Sequence, residues 1–480
     1  MAVGVNLSRN TKVYYTTNTD VTGYGDHNTV ELQVLNGYTF TQGSDQQTIQ
    51  IAEAGANPNR GQRSFNTKLN PVDWKFSTYI RPRYNTALGS GVITAASGTS
   101  IIPVLTAGVV THNYVHATVT GSITSSGFYK IAGFTGNSTD CNSTTPVPVA
   151  RWGSNTICRF SVPLSVAAAT CTGAATFTPV AVNTCAENVL WNALSGAVDV
   201  FQTGNKGAAW AHGTTTGQAD TAAGILTTTA SNVHQLAPFA LIFKIDTVYY
   251  KVSNCSLNSA EINFGIDQIA QVAWSGFGVS YTTVAAAGTA ELAASVTAYD
   301  STAQFITNKL SVVSIAKGAG GAFGKTNGAV TADTAYSVPI TGGTISINNN
   351  LTYLTPEVIG VVNQPIGYFT GTKAVSGNMT AYLRTGGTTE TSDLLTAIIA
   401  GAATTADNQY SMIVNMGGLG YPHVEYQFNG AMVQIPSVDV QDVVSTTLNF
   451  TAQGTLAPAT YPALFDITAS NEYKVRYLAA

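Results

Sequence analysis

The sequence predicts a mainly β protein: two tandem β-sandwich domains, each with one short helix, and an all-β domain inserted into the first. Three observations carry this. Short runs such as "FSTYIRPR" at Phe76 to Arg83 alternate apolar and polar residues at the period of a strand. Five segments of the first half recur in the same order later in the chain. Between two of them the first half carries roughly a hundred residues that the second half lacks.

The first recurring segments are "NTKVYY" around Lys12, matched by "TNKLSVV" around Lys309, and "LNGYTFTQGS", which lies on "ITGGTISINN" with Gly37 on Gly342 and Thr39 on Thr344. "FSTYIRPR" then returns as "MTAYLRTG" at Met379 to Gly386, setting Tyr79 on Tyr382. "NVLWNALSG" (Asn188 to Gly196) returns as "DLLTAIIAG" (Asp393 to Gly401), each an amphipathic helix stopped by glycine. Val248 to Gly278 lies without gaps on Val424 to Gly454, so that Tyr250 meets Tyr426, Val272 meets Leu448 and Trp274 meets Phe450. The reading is a tandem duplication.

These offsets divide the chain into 1–85, first part of domain 1; 86–184, the insertion; 185–300, second part of domain 1; and 301–480, domain 2. The insertion holds only Lys130, Asp140, Arg151 and Arg159 as charged residues, with β-like runs between Gly, Ser and Thr turns, and reads as a separate sandwich or small barrel. The Gly/Thr/Ala-rich stretch from Asn205 to Gln235 reads as a surface loop.

Of the 480 residues only 10% are charged, and 46 are glycine. A surface made of hydroxyls and backbone suits a tightly packed assembly, or else an extracellular β protein. With a net charge of −4 there is no basic field to hold nucleic acid. The N-terminus shows no secretion signal and no apolar run of about 20 residues occurs, so neither conventional secretion nor a membrane span is expected.

Exposed strand edges invite pairing, and like units joined head to tail close into rings when the rotation permits. Two like domains per chain give twice as many ring positions as chains. The segments "LSRNTKVYY", "IAEAGANPNRGQRSFNTKLNPVDWKFSTYIRP", "EINFGIDQIAQVAWSGFG" and "VPITGGTISINNNLTYLTPEVIGVVNQPIGYFTGTKAVSGNMTAYL" resemble the tail tube proteins of long-tailed bacteriophages, in the tandem-duplicated form of the tequintavirus-like siphophages.

That resemblance implies a virion structural protein in which three subunits form a pseudo-sixfold ring. Stacked rings enclose the tape measure protein and later conduct viral DNA during ejection, without binding it specifically. It also implies contacts with tail terminator and baseplate or tip proteins, a place in the virion tail and assembly in the host cytoplasm. The chain departs from the pattern in its insertion and in ending soon after the second copy, without an immunoglobulin-like decoration domain. A second reading is a phage or cell-surface β-sandwich adhesin whose insertion binds glycans.

Candidate sites follow from alternation and charge. In "EINFGID", Ile262, Phe264 and Ile266 share one strand face, opposite Glu261, Asn263 and Asp267. In "HVEYQFN", Val424, Tyr426 and Phe428 lie opposite His423, Glu425 and Gln427. With the apolar faces inward, Glu261, Asp267, Glu425 and Asp439 could face the lumen and repel phosphate; the alternative is an ordinary solvated face. Gln50 to Asn66, with Glu53, Arg60 and Arg63, has no apolar periodicity and reads as an arm contacting a neighbouring subunit or ring, or as a self-packed Ω-loop. Its counterpart contains Thr355 and Glu357.

Cys141, Cys158, Cys171 and Cys185 lie in or beside the insertion, Cys255 lies apart from it, and none forms a CxxC pair. The four are candidates for one or two disulfides, or for buried free thiols. His112 and His116 have a helical zinc spacing but sit in a strand-like run, so no metal or other cofactor is expected. No GxSxG, P-loop or HExxH occurs, so the chain reads as a non-enzyme.

Overall fold

The structure is a computed structural model. It describes residues 11–18, 22–24, 29–50, 62–85, 93–195 apart from 107–108, 120–126, 136–140, 153, 163–172, 180–181 and 186, then 236, 238–295, 297–298, 304–317, 335–452 apart from 388, 405–408, 419, 421 and 440–442, and finally 473–478.

The chain is mainly β, built round a large antiparallel sheet system of eighteen strands. The first half opens with β1 (Thr11–Thr16), β2 (Thr29–Leu32), β3 (Thr39–Gln50), β4 (Gln62–Tyr79) and β5 (Pro82–Asn85). Six strands then form a closed barrel: β6 (Ile93–Thr106), β7 (Val109–Val119), β8 (Gly127–Ala132), β9 (Ser143–Trp152), β10 (Ser154–Val162) and β11 (Ala175–Pro179). After it come β12 (Val182–Cys185), helix α1 (Asn188–Ser195), β13 (Phe239–Ile245), β14 (Val248–Gly265), β15 (Gln271–Gly278), β16 (Ser280–Thr283), α2 (Ala286–Ser295) and β17 (Thr297–Ala298).

The second half contains β18 (Val312–Lys317), β19 (Ala335–Val338), β20 (Ile340–Asn348), β21 (Leu351–Leu354), β22 (Gly367–Thr370), β23 (Ala374–Tyr382) and α3 (Thr391–Thr404). It closes with β24 (Gln409–Met416), β25 (His423–Val433), β26 (Ser437–Asp439), β27 (Ser445–Ala452) and β28 (Lys474–Leu478).

In the first half β14 is long enough to serve two layers. Its first residues pair with β13, which pairs with β1; its last pair with β15, which pairs with β4 and so with β3. Alternation fixes which side faces the core: along β15 the pattern is strictly half-buried then buried, with Val272 and Trp274 inward.

The registers of the second half repeat these. Phe40 opposes Trp74, and Ile345 opposes Gly377, which are the same positions at offsets of 305 and 303. Val13 opposes Phe243, as Val313 opposes Val414. The match for β1 is therefore at an offset of 300, from Val13 to Val313. Lys309, which the sequence set against Lys12, sits instead in a 3₁₀ turn ahead of the strand.

A second departure is subtler. The gapless alignment put Trp274 on Phe450, but Ile262 opposes Val272 where Val438 opposes Thr446. β27 is thus displaced by two residues, which keeps every side chain on its own face. Packing accounts for it: Trp74 lies opposite Gly276 in one half and Phe450 lies opposite Gly377 in the other. A methyl carbon on Gly276 would sit 2.4 Å from the Trp74 ring, and one on Gly377 2.5 Å from Phe450. The aromatic and the glycine have exchanged strands.

One hydrophobic core runs through both halves, containing Trp74, Trp191, Trp274, Tyr426 and Phe428. The barrel has its own, around Phe134, Phe160 and Phe177. β5 and β12 pair antiparallel, with Pro82 opposite Cys185 and Asn85 opposite Val182, so the chain enters and leaves the barrel along two adjacent strands.

Candidate functional site

The halves meet strand to strand. β14 pairs antiparallel with β20 over Ser259 to Gly265, with Ile262 opposite Ile345. Both isoleucines are fully buried. Eight strands therefore run in succession as β3, β4, β15, β14, β20, β23, β27 and β26. Among the described residues β3 registers only with β4, and β26 only with β27.

The outward face of this sheet is polar, with Asp73, Lys75 and Glu261 exposed among Ser, Thr, Asn and Gln side chains. One cross-strand row reads Ser77, Ala273, Glu261, Ser346, Ser376 and Thr451; the next reads Tyr79, Gln271, Asn263, Thr344, Asn378 and Asn449. A shallow depression of about 760 Å³ lies over the second row. Glu261 and Asn263 are exposed on this face, and Ile262 and Phe264 are buried beneath it.

Of the four candidate lumen carboxylates Glu261 lies on this face, and the other three differ from it. Asp439 is exposed on β26 at the sheet edge. Asp267 lies in the turn after β14, its side chain 82% exposed and 3.5 Å from the Lys309 ammonium. Ile266, expected to point inward with Ile262, is exposed at the same turn.

Glu425 corrects the reading, for it is buried. β25 is covered on both faces, so its alternation of apolar and polar residues does not mark a solvated side. Its polar side turns to internal partners instead: Gln427 Nε2 donates to Glu425 Oε2 at 2.9 Å, and His423 Nε2 lies 3.6 Å from Oε1, longer than a hydrogen bond. A buried carboxylate needs such partners, and this one cannot face a channel.

Two hairpins project from the sheet. The first is the distal part of β3 and β4, with Thr48 opposite Ser64 and Ile49 opposite Arg63. Gln62 to Asn66 is therefore strand, not loop, and Arg63 is exposed on it; Glu53 and Arg60 lie outside the described residues. Cross-strand polar pairs such as Thr48 with Ser64 hold the ladder where no apolar pattern announces it.

The second hairpin is β21 and β22 with the segment 355–366 between them. Glu357 is exposed and Thr355 half-buried there. Ile359 is fully exposed, and Leu354, Val358, Val361, Ile366 and Phe369 are each more than half exposed. Asn363 ties this arm to the first, accepting from Leu69 N at 2.8 Å and donating from its own amide to Thr67 O at 3.2 Å. At its base Tyr353 donates to the carbonyls of Asn254 and Phe277, and Asn349 Nδ2 donates to those of Leu194 and Leu257.

A buried polar cluster also joins the halves, signalled in the sequence only by one acid ahead of an apolar helix. Tyr477 on β28 donates to Glu187 Oε1 at 2.6 Å and accepts from Trp191 Nε1 at 3.1 Å. Burial pushes the Glu187 carboxyl up to about 7, against the Tyr477 hydrogen bond and the nearby Arg81 charge, which lower it.

The cysteines divide. Cys141 is disulfide-bonded, and Cys171 lies outside the described residues. Cys158 and Cys185 are free and buried, which corrects their place among the disulfide candidates. They sit in different cores, Cys158 in the barrel and Cys185 in the main one. Burial raises both thiols well above their ordinary range. His116 lies in strand β7. Among the described residues no group of three metal-ligating side chains occurs, and no helix is long and apolar enough to cross a membrane.

No family model matches the chain. It is 25% identical over 460 residues to tail tube protein pb6 of Escherichia phage T5, an alignment covering 94% of this chain and 73% of that protein. In sequence along nearly all its length the chain is similar to a tequintavirus tail tube protein, which bears out the resemblance seen in its segments and supports a structural tail-tube role, and its mainly β fold is consistent with that role.

Proposed function

We propose that the chain is the repeating subunit of a phage tail tube: two tube units, 1–85 with 185–300 and 301–480, carry an insertion at 86–184, and three chains close a pseudo-sixfold ring. The observation that carries this is the β14–β20 joint. It pairs an edge of one half with an edge of the other, while the equivalent edges, β26 and β3, stay unpaired among the described residues. Repeating that joint between chains joins β26 of one to β3 of the next, and three chains of eight strands close a wall of about twenty-four.

In this reading the face bearing Glu261 and Asn263 lines the channel, first around the tape measure protein and later around DNA. A wall of Ser, Thr and Asn with few cations gives phosphate no ladder to hold. The two arms reach the neighbouring ring. A cluster of apolar side chains as exposed as those on the second arm marks a contact surface. The barrel stands outward on the β5–β12 stalk, assembly occurs in the host cytoplasm, and terminator and baseplate or tip proteins cap the stack.

Electron microscopy of the purified protein tests the reading, with hollow tubes or rings as the expected result. Ile359→Asp combined with Val361→Asp should leave rings and abolish tubes. Persistent monomers of the unaltered chain under all assembly conditions, or solid fibres with no channel, would contradict it.

A further inference from the structure

The internal joint specifies how two copies meet, residue by residue. The registers of the halves superimpose when β20 is set on β3 at an offset of 305 and the end of β14 on β26 at 176. Carrying Ile262 opposite Ile345 across by these offsets gives Val438 opposite Phe40. Likewise Asn263 opposite Thr344 becomes Asp439 opposite Thr39, and Glu261 opposite Ser346 becomes Ser437 opposite Thr41.

We infer that the seam between chains is an antiparallel pairing of β26 with β3 of a second copy of this chain, in the register that sets Val438 against Phe40. The inference rests on the ring reading above and adds to it the surface, the register and the residues.

Two independent features favour this register. The isoleucine pair at the internal joint is fully buried, but Val438 is 43% exposed and Phe40 only partly buried against Phe243. Each lacks the cover its equivalent has, and this register gives each the other. Charge points the same way. At the internal joint the next row is Asn263, Thr344 and Asn378, all neutral, with Asn378 Nδ2 donating to Thr344 Oγ1 at 2.8 Å. At the seam the same row becomes Asp439, Thr39 and Lys75, with opposite charges flanking a hydroxyl. A slip of two residues would separate both pairs, and a slip of one would turn Val438 away from the core.

The seam also lacks the fastenings of the internal joint. Asn349 and Tyr353, which donate to first-half carbonyls, correspond by the same offset to Ser44 and Thr48, both exposed. The seam therefore forms by association of strands that are already folded, and it can open without unfolding either half.

The test is cysteine cross-linking in assembled tubes. Paired residues of an antiparallel ladder have Cα atoms about 4.5–5.5 Å apart, within reach of a disulfide. The full chain carrying Phe40→Cys and Val438→Cys, assembled and oxidised, should convert from monomer to covalent trimer on a non-reducing gel, with the 40–438 link found in the peptide map. Unaltered protein should give none.

Two slipped pairs, Val438→Cys with Tyr38→Cys and Val438→Cys with Gln42→Cys, should link far less. If tubes form and a slipped pair links better, or no pair links, the register is wrong while the ring reading stands. If unaltered chains make no rings, both fall. If only the cysteine variants fail to assemble, hydrogen exchange of unaltered protein decides: peptides spanning 38–42 and 436–440 gain protection on assembly, and unchanged exchange there overturns the seam.

Discussion

The β14–β20 joint and the two sheet edges occupy equivalent places in the two halves under different chemistry. At the joint, Ile262 and Ile345 are fully buried, Asn349 and Tyr353 hydrogen-bond across it, and Glu187, Trp191 and Tyr477 fasten the halves again behind the sheet. At the edges the corresponding positions hold Val438 and Phe40, partly exposed, and Ser44 and Thr48 in place of the clamps. In the proposed ring the same strand pairing would be permanent where the chain connects the halves and reversible where it does not.

The largest test of that contrast is a pair of truncations. Ile345→Ala should destabilise the isolated chain by about 2–5 kcal/mol, since it removes buried methylenes and leaves a cavity. Val438→Ala should cost the isolated chain less than about 0.5 kcal/mol, because surface truncations rarely exceed that. Denaturant titration of both variants measures the difference, and equal losses would erase the distinction.

The second test concerns the fastening behind the sheet. Glu187 has its carboxyl raised from 4.5 to about 7 in the folded chain, so the folded state holds a proton that the unfolded state has released between those values. Stability should therefore fall as pH rises from about 4.5 to about 7 and level off above, by an amount on the order of 3 kcal/mol. Glu187→Gln should flatten that slope, as followed by melting temperature against pH.

A smaller effect attends Tyr353→Phe. Losing its hydrogen bonds to Asn254 and Phe277 should cost about 1 kcal/mol, seen as faster hydrogen exchange at the base of the second arm. The smallest effect is predicted for removing the barrel. Asn85 and Val182 are register partners, so a two-residue Asn-Gly turn between them closes the stalk as a hairpin. The remaining sheet should melt within about 0.5 kcal/mol of the parent, and tubes should still form.

Much of the architecture was legible because strand alternation survives divergence. Tyr79 and Tyr382, matched by sequence alone, are the last residues of β4 and β23. What failed, failed for physical reasons. The gapless match of Trp274 to Phe450 ignored that a ring and a glycine can trade strands and fill the same space. Glu425 looked exposed because alternation shows which residues share a face, not whether something covers it. The first arm looked like a loop because its ladder is held by polar pairs. The edges Phe40 and Val438 were invisible as a pair, since only the register of β14 on β20 relates them.

The number of chains in one ring, from native mass measurement of single rings or symmetry analysis of tube images, tests directly whether the internal joint is repeated between copies. Three chains and six similar wall units per ring are expected. Six chains per ring, or rings in which β3 and β26 stay apart, would contradict the view that the internal joint is repeated between copies.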